Sequence, residues 1–177
     1  MNSARTIVLI GFMGAGKSSV GRCLQSRTGL ARSDVDEIIS TRFQLSIPQI
    51  FSTYGEDRFR DAETEALREL SPNPSSIIVT GGGIVLRREN IDLLKRLGTV
   101  VWLDAREEIL FERATRKGER PLLHTDKPRA KFSELLRIRV PLYANAAEIR
   151  IDTSELTHEE VADVILSKID DLILSKK

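Results

Sequence analysis

The chain is read as an α/β protein built on a parallel β-sheet covered by helices on both faces. Three observations carry that reading. Short apolar runs alternate with helix-periodic segments along the whole length. Runs such as Ile7-Val8-Leu9-Ile10 and Ile77-Ile78-Val79 are apolar throughout, as in strands buried on both faces. Residues 11–18, Gly-Phe-Met-Gly-Ala-Gly-Lys-Ser, complete the phosphate-loop pattern G-x-x-x-x-G-K-S/T between the first run and a helix, the context the motif requires. With 177 residues and no internal repeat or linker, one domain over 1–177 is expected.

The elements follow in order. After the phosphate loop a helix opens near Lys17 and stops at Gly29. A short segment runs into Asp34-Val35-Asp36, and a helix is predicted over 37–43. Ser46-Ile47-Pro48 reads as a cap with proline in the first turn, and Gly55 ends that piece. Over 56–70, Phe59, Ala62, Ala66, Leu67 and Leu70 share one helical face. Ser71-Pro72-Asn73-Pro74 breaks the chain, and the strand at 77–79 leads into Gly81-Gly82-Gly83. A helix at 89–97 stops at Gly98, and 99–103 is a further apolar strand. A helix over 107–116 leads into the polar segment 117–128. The next helix runs from about 130 to 143, with Pro141 bending its end. The last strand is 148–152, and Thr157-His158-Glu159-Glu160 is a capping box opening a final helix.

Composition excludes several classes. Twenty-seven basic against 26 acidic side chains leave a net charge of +1, so no global field draws nucleic acid or anionic lipid. One cysteine, Cys23, forbids an internal disulfide and reads as a small core residue. No stretch approaches the ~20 apolar residues that span a bilayer. The first strand begins within a few residues of Met1, which leaves no room for a signal peptide. A cytoplasmic monomer without nucleic-acid or membrane partners is expected.

The phosphate loop fixes the first ligand as a nucleoside triphosphate. Its glycines let successive N–H groups turn inward, and the helix start adds partial positive charge. Lys17 supplies a point charge for the β- and γ-phosphates, and Ser18 is placed to ligate Mg²⁺. Asp34 and Asp36, if extended, share one face, so one can hold Mg²⁺ through water while the other accepts a hydrogen bond from an attacking hydroxyl. Taken alone, Asp36 reads equally as a helix cap. The triple glycine lets a small substrate approach the backbone. No guanine-reading N-K-x-D segment occurs, and no apolar strand ends in the aspartate of a motor ATPase. Because the loop, the aspartate pair and the triple glycine each follow a strand, they should meet in one crevice.

The phosphate loop, Asp34-Val35-Asp36, Gly55-Glu56-x-x-Phe59-Arg60-x-x-Glu63, Gly81-Gly82-Gly83, Arg120-Pro121-Leu122-Leu123 and Arg139-x-Pro141-Leu142-Tyr143 occur in that order. Together they resemble the shikimate kinase family, over nearly the whole chain. That resemblance implies a five-stranded parallel sheet of order 2-3-1-4-5, a substrate-binding region at about 34–62 and a mobile lid at about 117–128. It implies ATP and shikimate as substrates, Mg²⁺ as cofactor and a place in aromatic amino acid (chorismate) biosynthesis. It assigns Asp36, Arg60, Gly81, Gly82, Gly83 and Arg139 to shikimate, and Ser18 and Asp34 to the metal. It gives Gly14, Ala15, Gly16, Lys17, Ser18, Ser19, Arg113 and Arg120 to ATP, with Lys17, Asp36 and Arg120 catalytic. Shikimate's carboxylate suits two arginines, whose planar donors match it. Singly, Arg60 and Arg139 read as exposed helix charges and Arg120 as a loop arginine. Another small-acid kinase such as a gluconate kinase, a nucleoside-monophosphate kinase and a non-catalytic nucleotide binder remain as rival readings.

Overall fold

A computed structural model describes residues 6–71, 75–116, 121–123 and 125–175. Five parallel strands, β1 (Ile7–Ile10), β2 (Ala31–Asp34), β3 (Ser76–Val79), β4 (Thr99–Asp104) and β5 (Ile149–Asp152), form one sheet in the order β2-β3-β1-β4-β5. The central β1 and most of its neighbours β3 and β4 are buried, which is why their sequences are unbroken apolar runs. β2 departs from that pattern. Its Ala-Arg-Ser-Asp sequence suits an edge strand with few buried side chains, so hydrophobicity could not have marked it.

Seven α-helices are described: α1 (Lys17–Thr28), α2 (Val35–Phe43), α3 (Ile47–Glu69), α4 (Arg88–Leu97), α5 (Glu107–Arg116), α6 (Pro128–Ala146) and α7 (His158–Leu174). The end signals behave as their chemistry demands. Gly29 closes α1 in the left-handed region, its N–H bonded to the Gln25 carbonyl. Ser46 with Gln49, and Thr157 with Glu160, form reciprocal capping boxes at the starts of α3 and α7.

Three boundaries differ from the sequence expectation. α2 begins at Val35, two residues earlier than expected, because Asp34 is its cap: the Asp34 side chain accepts the Asp36 N–H at 3.1 Å. Asp36 therefore lies in the first helical turn and is neither the cap nor extended. α6 continues past Pro141 to Ala146. Residues 84–86, for which the sequence predicts no element, form a 3-10 turn directly after the triple glycine.

α3 runs through Gly55 with a kink, where φ is 82° and ψ 170°. That left-handed conformation is open to glycine and strained for other residues. The bend lets the two halves of α3 follow different directions. Ile47 and Phe51 from the first half, and Phe59, Arg60 and Glu63 from the second, all line the same cavity. Cys23 is half-buried between α1 and α7, with its Sγ 3.8 Å from Glu159 Oε1, rather than in the core. Among the described residues no helix is long and apolar enough to cross a membrane.

Candidate active site

Two adjoining cavities are walled by the segments that follow the strands. The larger, about 580 Å³, is lined by Met13, Gly14, Gly16, Lys17 and Ser18 of the phosphate loop, Asp36, Thr80 to Gly82, Arg113 and Arg116 of α5, and Leu156 to Glu159. Gly16 caps α1 at φ 89° and contributes no side-chain bond, so the first-turn N–H groups of α1 remain directed at the loop. Lys17 Nζ donates to the Gly11 and Phe12 carbonyls at 2.7 and 3.1 Å, which holds the ammonium across the loop. Arg113 is fixed by two bonds to Thr153, to Oγ1 at 3.1 Å and to the carbonyl at 2.9 Å.

Not every residue assigned to the nucleotide reaches this wall. Ala15 is buried beneath the loop, and Ser19 Oγ accepts from Arg22 at 3.3 Å; neither lines the cavity. Arg120 lies outside the described residues, as do residues 117–119 and 124 of the same segment. Conversely, Arg116 and the segment 156–159 are wall residues that sequence reasoning missed. A signal existed, since the capping box at Thr157 put a helix start directly after the last strand. That is the same end of the sheet as the phosphate loop.

The smaller cavity, about 100 Å³, is lined by Met13, Asp36, Ile47, Phe51, Phe59, Arg60, Glu63, Gly81, Gly82, Gly83, Leu122 and Arg139. Met13, Asp36, Gly81 and Gly82 line both cavities, so Asp36 stands at their junction. Arg60 and Arg139 are 6% and 3% exposed, which rules out the reading of either as a solvated helix charge. Arg60 donates from Nη1 to Glu63 at 2.6 Å and from Nη2 to Glu56 at 2.7 Å, and its guanidinium lies 5.3 Å from the Phe59 ring centre. Arg139 lies 5.3 Å from the Phe12 ring centre, and its Nε has no hydrogen-bond partner among the described residues. Burial lowers the affinity of Arg139 for its proton, and the nearby Arg60 charge acts in the same direction. Arg60 is already paired with two carboxylates, so the spare donor capacity beside this cavity is chiefly that of the buried Arg139.

The triple glycine has a steric explanation. A Cβ at Gly83 would fall 2.2 Å from Arg60 Nη1, and one at Gly81 would fall 2.8 Å from Asp36 Oδ1 and 3.0 Å from Glu63 Oε1. Charged side chains thus press against bare backbone on this floor. Tyr143, buried one helical turn after Arg139, donates its hydroxyl to the Gly82 carbonyl.

Glu63 was not among the predicted site residues. It is fully buried, Oε1 has no hydrogen-bond partner among the described residues, and burial raises its pKa to about 7. The Asp36 carboxylate raises it further, while Arg60 and Arg139 oppose. Its position was detectable. Glu63 lies four residues after Phe59 and four before Leu67, so a carboxylate sits inside the apolar stripe of α3.

Asp34 is not brought to either cavity wall. One carboxylate oxygen caps α2, and the other pairs with Arg32 at 3.3 Å. Burial raises its pKa, with Glu37 acting in the same sense. Among the described residues no group of three or more His, Cys, Asp or Glu forms a metal cage. Mg²⁺ shared with a triphosphate keeps several waters and needs few protein oxygens. The Ser18 hydroxyl and the Asp36 carboxylate are such oxygens on the wall of the larger cavity.

The family model for shikimate kinase matches residues 13–170. The chain belongs to the shikimate kinase family. A shikimate kinase of Thermodesulfovibrio yellowstonii is 45% identical over 168 residues, spanning 95% of this chain and 96% of that one. The shikimate kinase from Acinetobacter baumannii in complex with shikimate superposes with a TM-score of 0.90 at 38% identity, over 99% of this chain and 96% of that one. The Aquifex aeolicus shikimate kinase gives 0.80 at 37% identity, over 96% and 98%. As in shikimate kinases generally, this chain is a phosphate-loop, ATP-using kinase, and its strand order is the one the resemblance implied.

Proposed function

We propose that this chain transfers the γ-phosphoryl group of ATP to the 3-hydroxyl of shikimate, giving ADP and shikimate 3-phosphate. The observation that carries the reading is the junction at Asp36. There, a cavity rimmed by the phosphate loop meets a smaller one faced by two buried arginines.

ATP occupies the larger cavity, with its phosphates on the N–H groups of the loop and of the first turn of α1. Gly14, Gly16, Lys17, Ser18 and Arg113 contact it, and Ala15 and Ser19 support the loop from outside the wall. Shikimate occupies the smaller cavity, with its carboxylate between Arg60 and Arg139, where each planar fork can donate two bonds. Gly81, Gly82 and Gly83 form the floor, and Phe51 and Phe59 take the apolar face of the ring. Glu63 and Glu56 hold Arg60 in place. Asp36 orients the 3-hydroxyl in line with the γ-phosphorus and accepts its proton as the new P–O bond forms.

Ser18 would hold Mg²⁺, with Asp34 acting through the ion's water shell. When bound, the ion would supply positive charge that offsets the charge of the triphosphate. Lys17 donates to the same oxygens and needs to exchange its carbonyl partners for them. Arg120, from the lid at about 117–128, adds positive charge over the phosphates, and lid closure excludes water. Leu122, which lines the acceptor cavity, gives this lid an apolar contact there. The chain acts as a single-domain monomer in the cytosol, in the route to the aromatic amino acids.

A coupled assay of ADP release with shikimate, gluconate and a nucleoside monophosphate as acceptors tests the reading. Saturable release with shikimate alone is expected. Release with gluconate or the monophosphate in preference to shikimate would replace the acceptor, and release without any acceptor would indicate an ATPase.

A further inference from the structure

A buried polar relay lies just behind the acceptor cavity. Asn90, on α4, is completely buried and lines neither cavity. Its Nδ2 donates to the Ile84 carbonyl at 2.9 Å, and its Oδ1 accepts from the Thr64 hydroxyl at 2.8 Å. Ile84 is the residue immediately after Gly83, and Thr64 stands one turn beyond Arg60 on α3. The Thr64 hydroxyl also lies 3.1 Å from the Arg60 carbonyl. One amide thus ties the backbone carrying the glycine floor to the helical turn carrying Arg60.

The tolerance between those two parts is small, because Gly83 and the Arg60 guanidinium are in contact with no room for a methyl group. A shift of the 3-10 turn at 84–86 relative to α3 would move floor and guanidinium apart, or drive them together. The middle of the floor is fixed independently by the Tyr143 hydroxyl on Gly82. Removing either member of the Thr64–Asn90 pair leaves a buried donor or acceptor unsatisfied, which the turn can relieve only by moving.

We propose that Thr64 and Asn90 are positioning residues for the acceptor: without touching it, they set the separation between the Arg60 guanidinium and the Gly81–Gly83 backbone. The inference rests on the acceptor reading above. It predicts a defect confined to the acceptor and transmitted through Arg60.

The test is steady-state kinetics on Thr64→Val, Thr64→Ser and Asn90→Leu, each alone and combined with Arg60→Lys. Thr64→Val keeps the shape of threonine and should raise the KM for shikimate roughly tenfold. The KM for ATP should stay within about twofold, and Thr64→Ser, which keeps the hydroxyl, should restore most of the loss. In the Arg60→Lys background the Thr64→Val effect should shrink markedly, since the residue through which it acts has already been changed. Asn90→Leu should repeat the pattern; should it not yield folded protein, the Thr64 series decides alone. An equal rise in both KM values, no rise, failure of serine to rescue, or full additivity with Arg60→Lys would overturn the proposal. The wild-type rate with shikimate is a separate readout: its absence would remove the acceptor reading itself.

Discussion

The Arg60 guanidinium faces the backbone of Gly83 across its whole width. A Cβ at position 83 would stand 2.2, 2.4 and 2.5 Å from Nη1, Cζ and Nη2, so the plane of the group lies against the glycine. Arg60 cannot retreat freely, because the same group is bonded to Glu56 and Glu63. Glu56, Arg60 and Glu63 of α3 are thereby locked against the Gly83 backbone in one arrangement of charge.

Gly83→Ala should therefore act as an acceptor-site mutation despite adding a single methyl group. The methyl displaces Arg60 and breaks at least one charge-assisted bond, so shikimate affinity should fall roughly tenfold or more. ATP affinity should change less than about threefold, since Gly83 does not line the larger cavity. Titration calorimetry with each ligand checks this, and equal losses for both would contradict it.

Glu63 makes stability depend on pH in a defined direction. Its carboxyl titrates at about 7 in the folded protein, against about 4.5 for an unburied group. Between those values the folded protein keeps a proton that the unfolded chain has released, so stability falls as pH rises through that window. The full effect is about 3 kcal/mol at most. Glu63→Gln removes the titration, and the variant should lose this part of the pH slope. Urea unfolding of both proteins from pH 4.5 to 7.5 measures the difference. Parallel curves would show that the carboxyl is ionised throughout.

The fold was legible because most of its signals are local. The phosphate loop, the cap at Ser46, the capping box at Thr157, the stop at Gly29 and the apolar runs of β1, β3 and β4 each state their element within a few residues. β2 was not legible as an apolar strand, since an edge position asks little of its side chains. The site divided in the same way. Residues in contiguous motifs were found, and Arg60 and Arg139 were named through resemblance alone. Beside Arg139 stands Phe12 and beside Arg60 stands Gly83, neighbours distant in sequence that no local pattern displays. The Asp34–Asp36 pair departs from the extended geometry expected of it for a comparable reason. Spacing of two residues puts side chains on one face only in a strand, and α2 starts between the two aspartates.

Arg139→Lys tests the planar fork. Lysine keeps the charge but offers no bidentate geometry, and its ammonium tolerates this burial poorly. Shikimate binding should weaken by roughly tenfold or more, with ATP binding little changed. Near-normal shikimate affinity in a folded variant would remove Arg139 from the carboxylate clamp.

Lys17→Ala should leave the fold intact, since Lys17 Nζ bonds the Gly11 and Phe12 carbonyls of the loop itself. Turnover should fall by ~10²–10³ as a preorganised cation is lost from the phosphates. Circular dichroism alongside the rate separates this from unfolding. A folded variant with near-normal turnover would contradict the assigned role.

The most direct measurement is the initial rate of shikimate-dependent ADP formation by the wild type and by Asp36→Asn, with shikimate binding to both followed by calorimetry. The account predicts saturable ADP release by the wild type. It predicts a fall of ~10²–10³ in Asp36→Asn while shikimate still binds, because the amide fills the junction but cannot accept the proton. ADP release indifferent to shikimate, or an Asp36→Asn variant that turns over at the wild-type rate, would contradict it.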